Sequence, residues 1–571
     1  MLKDLYTEQG DCMTDTPWQA YPRPQMRRES YLNLNGKWEF TVTSGKDLPQ
    51  GYDKTILVPF CPESLLSGIH EHFPDGASLF YRRKLNLPED FRQGRVLLHF
   101  GAVDQYAEVY INGQMVCSHL GGYEAFCVDI TGFLQDENEL VVRATDDLRS
   151  HVLPYGKQTL NRGGMWYTPV SGIWQTVWAE CVPENHIEKL DIHTDGEKAV
   201  VTVTPALNGT VTAGGKSWPL TEGRAEIRPE DPRLWSPEDP YLYDFTVETE
   251  EDRVQSYFAL RSLEIRRVGG SPRLCLNGKP YFFHGLLDQG YWSDGIFTPA
   301  DEGGFARDIQ AMKNLGFNTL RKHIKVEPEQ FYYDCDRLGM IVFQDMVNNG
   351  DYRFFRDTAL PTVGIQTLND KNMHRDTATR KAFLDAMEAA VRQLKNHPCI
   401  CCWTIFNEGW GQFDSDNVYE RFKKLDSSRF IDTTSGWFRR KKTDVESLHI
   451  YFGSWGKLKS GEKPLVLSEF GGYCYGVEDH LFNPEKAYGY KACKSLPEFN
   501  RDLLALYREK VLPAVQKGLC AAIYTQVSDV EDEINGLLTY DRKVLKADPE
   551  QMKDIALQLQ QAVGQGKEET R

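Results

Sequence analysis

The sequence predicts two β-sandwiches, the second immunoglobulin-like, followed by a (β/α)8 barrel. Three observations carry this: the length, a change of hydrophobic period near residue 269, and all-apolar runs alternating with helical patterns beyond it. At about 150 residues per domain, 571 residues suffice for three to four domains. From about residue 30 to 182, short β-like runs alternate with turn signals. Tyr110–Val116 sets Asn112-Gly113 between two apolar runs, a strong hairpin signal, and Leu140–Arg143 and Ile173–Trp178 continue the pattern. Many short strands without a long amphipathic helix read as a sandwich. Residues 183–268 form the second, with Val201 and Val203 alternating with Thr202 and Thr204, and Pro232, Pro237 and Pro240 confined to edges or loops.

Past residue 269, Phe305, Ile309 and Met312 recur at helical spacing, as do Phe383, Met387, Val391 and Leu394, with Pro398 closing that region. Between the helices lie the runs 281–287, 317–320, 340–343, 400–406, 465–467 and 519–524, which have the character of strands buried on both faces. This alternation favours the barrel over an open doubly wound sheet, since no glycine-rich phosphate loop follows the first strand. The expected domains are therefore 1–182, 183–268 and 269–571, with a charged, fraying tail from Gly566 to Arg571.

Hydrophobic residues make up 41% and charged residues 26% of the chain, the balance of a folded soluble protein. A net charge of −16 disfavours nucleic acid and anionic lipid as partners and suits a neutral substrate. No apolar run reaches the length of a membrane span, and the polar start lacks the pattern of a secretory signal. With thirteen scattered cysteines, the expectation is a cytoplasmic protein with reduced thiols. Cys399 and Cys402 form a C-x-x-C inside a buried strand, without a second pair at zinc spacing, so they read as core residues. No metal and no cofactor is expected.

In such a barrel the reacting groups belong at the C-terminal strand ends. The run 399–406 stops at Asn407-Glu408-Gly409-Trp410, and 465–467 stops at Ser468-Glu469-Phe470-Gly471. Each brings a glutamate from a dry strand to the mouth, where it is either ion-paired or functional. A pair of such carboxyls can cleave a glycosidic bond, one protonating the leaving oxygen and the other facing it.

Asn407-Glu408, Ser468-Glu469-Phe470-Gly471, Phe283-His284-Gly285, His119-Leu120-Gly121-Gly122-Tyr123 and Asp129-Ile130-Thr131 together resemble glycoside hydrolase family 2, the β-galactosidase, β-glucuronidase and β-mannosidase family. The likeness covers nearly the whole chain. It implies that the first sandwich is a sugar-binding-type jelly roll, that Glu408 is the acid/base and that Glu469 is the nucleophile of a retaining mechanism. Electrostatics supports this assignment independently. An ionised Glu469 favours a protonated Glu408, and esterifying Glu469 removes that charge, so Glu408 can serve as acid and then as base.

By the same resemblance Asn407 binds the sugar 2-hydroxyl, Tyr451 orients the nucleophile and Tyr524 forms an aromatic wall under the sugar. Trp410 is a candidate for the aglycone side; each aromatic has ordinary core packing as its alternative. Arg321, His323 and Asp345 end strands and are candidate hydroxyl binders, with a salt bridge at Arg321 as the competing reading. After His284-Gly285 the chain departs from the family, and Asp288 and Trp292 are the replacement candidates there. Glu533-Ile534-Asn535 stands where the β-glucuronidases carry an Asn-x-Lys that pairs with the uronate. A neutral hexoside, β-galactoside first, is therefore expected ahead of a β-glucuronide. The acidic stretch 529–533 reads as a solvated turn ahead of a sugar or cation site, and the irregular stretch 347–374 as a specificity loop or a contact to a second subunit of a homo-oligomer.

The expected function is thus an exo-acting retaining β-glycosidase taking small glycosides. The competing readings are a non-catalytic carbohydrate-binding protein, against which the paired strand-end glutamates argue, and a metal-dependent barrel enzyme, against which the lack of a clustered ligand set argues.

Overall fold

The computed structural model describes residues 2–362, 365, 369–452, 455, 458 and 461–564. The expected fraying tail lies outside them, as does part of the 347–374 stretch. Much of what is described of that stretch is helical, at 355–362 and 370–372, rather than an irregular loop.

The first domain is a sandwich of antiparallel sheets of six and four strands, built from segments between Leu32 and Val182. Its core includes Trp38, Phe40, Tyr81, Phe100, Val109, Ile111 and Val142. The Asn112-Gly113 hairpin forms, with both turn residues at positive φ (52° and 77°), the geometry whose twist matches that of the strands it joins. The second domain packs a three-stranded sheet on a four-stranded one around Val201, Val203, Val211, Val247 and Val254. Pro232, Pro237 and Pro240 fall in the connection between Ile227 and Tyr243, outside any strand. That connection docks on the third domain, with the Trp235 indole donating to the Asp336 carbonyl at 2.7 Å.

Eight parallel strands form the barrel: β1 (Phe283–Asp288), β2 (Thr319–Lys322), β3 (Ile341–Asp345), β4 (Ile400–Asn407), β5 (Phe430–Ser435), β6 (Glu446–Ile450), β7 (Leu465–Gly471) and β8 (Leu519–Thr525). The hydrogen-bonded order is β5-β4-β3-β2-β1-β8-β7-β6, a nearly closed barrel whose β5 and β6 share no backbone ladder. No helix intervenes between those two strands, which leaves this seam to side chains. Strands β2 to β5 and β7 to β8 are buried throughout, as near-continuous apolar runs under a coat of helices require. Around them lie α1 (Gly304–Asn314), α2 (Glu329–Leu338) and α3 (Thr377–Leu394) among others. The periodic residues Phe305, Ile309 and Met312 of α1 and Phe383, Met387, Val391 and Leu394 of α3 face inward. Asp376 caps α3 by accepting the Thr379 N–H.

All thirteen cysteines are free, with Cys399 and Cys402 buried at β4. Among the described residues no helix is long and apolar enough to cross a membrane.

Arg261, at the end of the second sandwich, is buried and donates to the carbonyls of Pro398 (2.6 Å) and Ile400 (2.8 Å), where β4 begins. Arg261→Met removes two charge-assisted bonds and takes from the Pro398 carbonyl its Arg261 donor, while the Ile400 carbonyl keeps the Arg429 Nε donor at 2.8 Å. It should lower stability by about 3 kcal/mol in urea unfolding. A loss below about 0.5 kcal/mol, the scale of ordinary surface substitutions, would show this anchor to be dispensable.

Candidate active site

Strand β4 ends at Asn407, and the next residue, Glu408, takes a left-handed conformation (φ 52°) that ordinary side chains rarely adopt. Its N–H donates to the Ser435 carbonyl at the end of β5, 2.9 Å away. This turn aims the Glu408 carboxyl into the barrel mouth, where a quarter of the side chain remains exposed. Glu469 lies within β7 and is almost wholly buried. A carboxylate oxygen of each glutamate and Nδ1 of His449 all lie within 4.8 Å of one another.

Arg321, from β2, ties the site together. Its Nε donates to Asp345 Oδ1 (3.0 Å), Nη1 to Glu469 Oε1 (3.0 Å) and the Ser468 carbonyl (3.1 Å), and Nη2 to Asn407 Oδ1 (2.9 Å). It is therefore a salt bridge, and four of the five donors of its fork are spent on these protein oxygens. With Oδ1 of Asn407 held, the amide nitrogen is left for a ligand. The Tyr451 hydroxyl donates to Glu469 Oε2 at 2.6 Å, and its ring lies flat on Tyr490 with centroids 3.6 Å apart. His323 Nδ1 pairs with Asp345 Oδ2 at 2.7 Å. Burial raises the Glu469 carboxyl, but His449 and Arg321 outweigh it and hold the group well below the usual carboxylate range. Asp345 is likewise lowered, burial being overcome by Arg321 and His323. Glu469 is thus a poised anion beside a second carboxyl.

Three expected ligand contacts are placed elsewhere. Tyr524 points away from the mouth, edge-on to Phe470 (5.6 Å), and its hydroxyl accepts the Tyr473 N–H. Its neighbour Thr525 faces inward, 3.0 Å from the Tyr451 hydroxyl, because successive strand residues alternate sides. Asp288 is committed to the Lys322 ammonium at 2.7 Å. Trp292 is buried against Phe305 of α1 under the Arg542 guanidinium, 4.1 Å from its ring centre. The acidic stretch is not a solvated turn: Asp529 pairs with Lys546 (2.7 Å), Glu531 and Asp532 with Arg162, and Glu533 with the Tyr167 hydroxyl, all four carboxylates being buried.

Tyr167 and Arg162 belong to a ribbon from the first domain, residues 157–168, that crosses the barrel mouth. Within it the Tyr167 N–H donates to the Lys157 carbonyl and Thr159 N–H to the Tyr167 carbonyl. Trp166 of this ribbon meets Trp410 edge-on at 4.9 Å and Tyr352 at 5.0 Å, so Trp410 sits in an aromatic cluster at the rim. Lys157 is half-buried and acts electrostatically on both His323, just after β2, and Glu533, in the segment after β8. Sequence reading missed Lys157, Tyr490 and His449. His449 stands two residues before Tyr451, whereas the ribbon left no local signal.

Matching family models name the architecture: the TIM barrel domain of the glycosyl hydrolases family 2 over 269–556, the sugar binding domain over 49–178, and a further family 2 domain over 180–261. The chain belongs to glycosyl hydrolase family 2. Its relatives in that family include the β-galactosidase of Thermoanaerobacter pseudethanolicus, 24% identical over 79% of this chain and 62% of that one. The β-glucuronidase of Felis catus is 25% identical over 68% of this chain and 65% of that one. The chain thus spans under two thirds of the length of either relative. The β-D-glucuronidase structure from Dictyoglomus thermophilum superposes with a TM-score of 0.73 at 19% identity, covering 94% of this chain and 98% of that one.

Glu408, His449 and Glu469 are also the one cluster among the described residues with the spacing of a metal site. Arg321 and Tyr451 already hold the two Glu469 oxygens, and a cation there would face the guanidinium.

Arg321→Met would leave two buried carboxylates without their cation, a loss of about 3–5 kcal/mol at pH 7. Because Glu469 and Asp345 lie below their ordinary values in the fold, the stability they contribute is complete above about pH 4.5 and is lost as pH falls through the lowered values. The variant lacks the share of that lowering that Arg321 supplies, so its deficit should shrink below about pH 4.5 in urea unfolding at a series of pH values. A constant deficit would contradict the ion-pair account.

Proposed function

We propose that this chain is an exo-acting retaining β-glycosidase that uses Glu469 as nucleophile and Glu408 as acid/base. The observation that carries this is the approach of the two carboxylates, with oxygens within 4.8 Å, on two strand ends of one barrel. Retention suits carboxyls about 5–5.5 Å apart, whereas inversion needs about 6.5–9.5 Å to admit a water. Glu469 attacks the anomeric carbon while the bond to the aglycone oxygen breaks and Glu408 delivers its proton to that oxygen. Water then attacks the glycosyl ester, Glu408 takes its proton, and Glu469 is released as carboxylate. Arg321 and Tyr451 keep Glu469 ionised and oriented, and the free Asn407 amide is placed to hydrogen-bond the sugar 2-hydroxyl. The ribbon 157–168 closes one side of the mouth, which favours a terminal sugar over an internal one.

For the glycone, a neutral β-hexoside with β-galactoside first is the reading we favour. Glu533 brings a carboxyl to the far wall, where burial raises it against the opposing pull of Lys157, and it accepts from Tyr167 and Asn535. Such a group suits sugar hydroxyls. A β-uronide is the second reading. Lys157 favours it, as do the β-glucuronidases among the relatives and the similar fold of a β-galacturonidase from Eisenbergiella tayi bound to galacturonate.

A panel of nitrophenyl β-galactoside, β-glucoside, β-glucuronide, β-mannoside and α-arabinoside decides between them, and the β-galactoside is expected to give the highest kcat/KM. On the best substrate Glu469→Gln should lose at least about 1,000-fold in kcat. Azide should restore turnover to Glu469→Ala with inverted product. Comparable turnover by Glu469→Gln would refute the nucleophile assignment.

A further inference from the structure

The seam between β5 and β6 has no backbone ladder, and a lattice of side chains fills it beside the two carboxylates. His449, on β6, has a completely buried ring side chain. Its Nδ1 lies 2.7 Å from Glu408 Oε1, and its Nε2 lies 2.9 Å from the Ser435 hydroxyl at the end of β5. Ser435 donates to Ser468 of β7 (3.0 Å), which is 2.6 Å from Ser447 of β6. Serines of three strands thus back the imidazole, Ser435 by direct contact and Ser468 and Ser447 through it, and Trp437 meets it edge-on at 5.6 Å. Gly436 follows Ser435 with φ 83°, and a Cβ there would fall 2.6 Å from His449 Nδ1.

The need for such a grip follows from Glu408 itself. It sits past the strand end with a quarter of its side chain exposed, and His449 is the hydrogen-bond partner its carboxyl has among the described residues. Glutamate has three side-chain torsions, so without a partner the carboxyl would sample many positions, few of them facing a leaving oxygen.

We propose that His449, gripped by the serines of the seam, is a positioning residue that fixes the Glu408 carboxyl for proton transfer to the leaving oxygen, and that Gly436 keeps the space His449 occupies. This rests on the reading of Glu408 as the acid. His449 Nδ1 is also 3.5 Å from Glu469 Oε2, so the competing role is support of the nucleophile. Leaving-group chemistry separates the two. An alkoxide departs only with a proton, whereas dinitrophenolate departs without one, and attack by the nucleophile is needed for both.

The experiment compares kcat/KM for the methyl and the 2,4-dinitrophenyl β-glycoside of the best sugar, in wild type, His449→Ala, Ser435→Ala and Gly436→Ala, each checked for an unchanged thermal midpoint. General acid catalysis contributes about 10²- to 10⁴-fold, so His449→Ala should lose about 100-fold or more on the methyl glycoside. On the dinitrophenyl glycoside its loss should stay within about fivefold, since proton transfer contributes little there. Gly436→Ala and Ser435→Ala should show the same asymmetry at smaller size, and they carry the test if His449→Ala does not fold. Equal losses on both substrates, or no loss on either, overturn the proposal. A wild type inactive on both glycosides would instead refute the glycosidase reading.

Discussion

A single buried guanidinium holds the centre of this molecule together. Arg321 joins β2 to β3 through Asp345, to β4 through Asn407 and to β7 through Glu469 and the Ser468 carbonyl. Desolvating an arginine is costly, and here two carboxylates and two neutral oxygens compensate it. In return both glutamyl oxygens are fixed, one by the arginine and the other by Tyr451. Glu469 is ionised because the fold carries positive charge inside the barrel, and that charge is tolerable because Glu469 is ionised.

The other two domains act on this centre from outside. Arg261 and Trp235 fasten the second sandwich to the barrel floor and helices, while the ribbon of the first sandwich reaches over the mouth. Tyr167, Arg162 and Thr168 of that ribbon bind the buried carboxylates Glu533, Asp532 and Glu531 of the segment after β8. The pocket is thus made by two distant parts of the chain, and charge satisfaction is what binds them.

Much of this was legible in the sequence, for physical reasons. The helical spacing in α1 and α3, the dry strand runs and the Asn-Gly turn are local signals, and each formed the element it predicted. Glu408 and Glu469 could be picked out because a charge abutting an apolar run has few reasons to be there. Tyr524 failed because one step along a strand reverses the side chain, and only pairing register tells Tyr524 from Thr525. The stretch 529–533 looked solvated because its partners Arg162 and Tyr167 stand more than 360 residues away. Asp288 and Trp292 were placed by position alone, and Lys322 and Arg542 took them instead. Lys157 and His449 gave no signal because their meaning lies in what faces them.

The unladdered edge between β5 and β6 has a consequence for how the protein fails under stress. Opening there breaks few main-chain bonds, so its free-energy cost is well below that of unravelling the barrel. The first residues to lose their partners would be His449 and Ser435, which back the Glu408 carboxyl. Heat or denaturant should therefore disorder this site in a state that keeps nearly all of its secondary structure, with amide exchange rising first along that one edge.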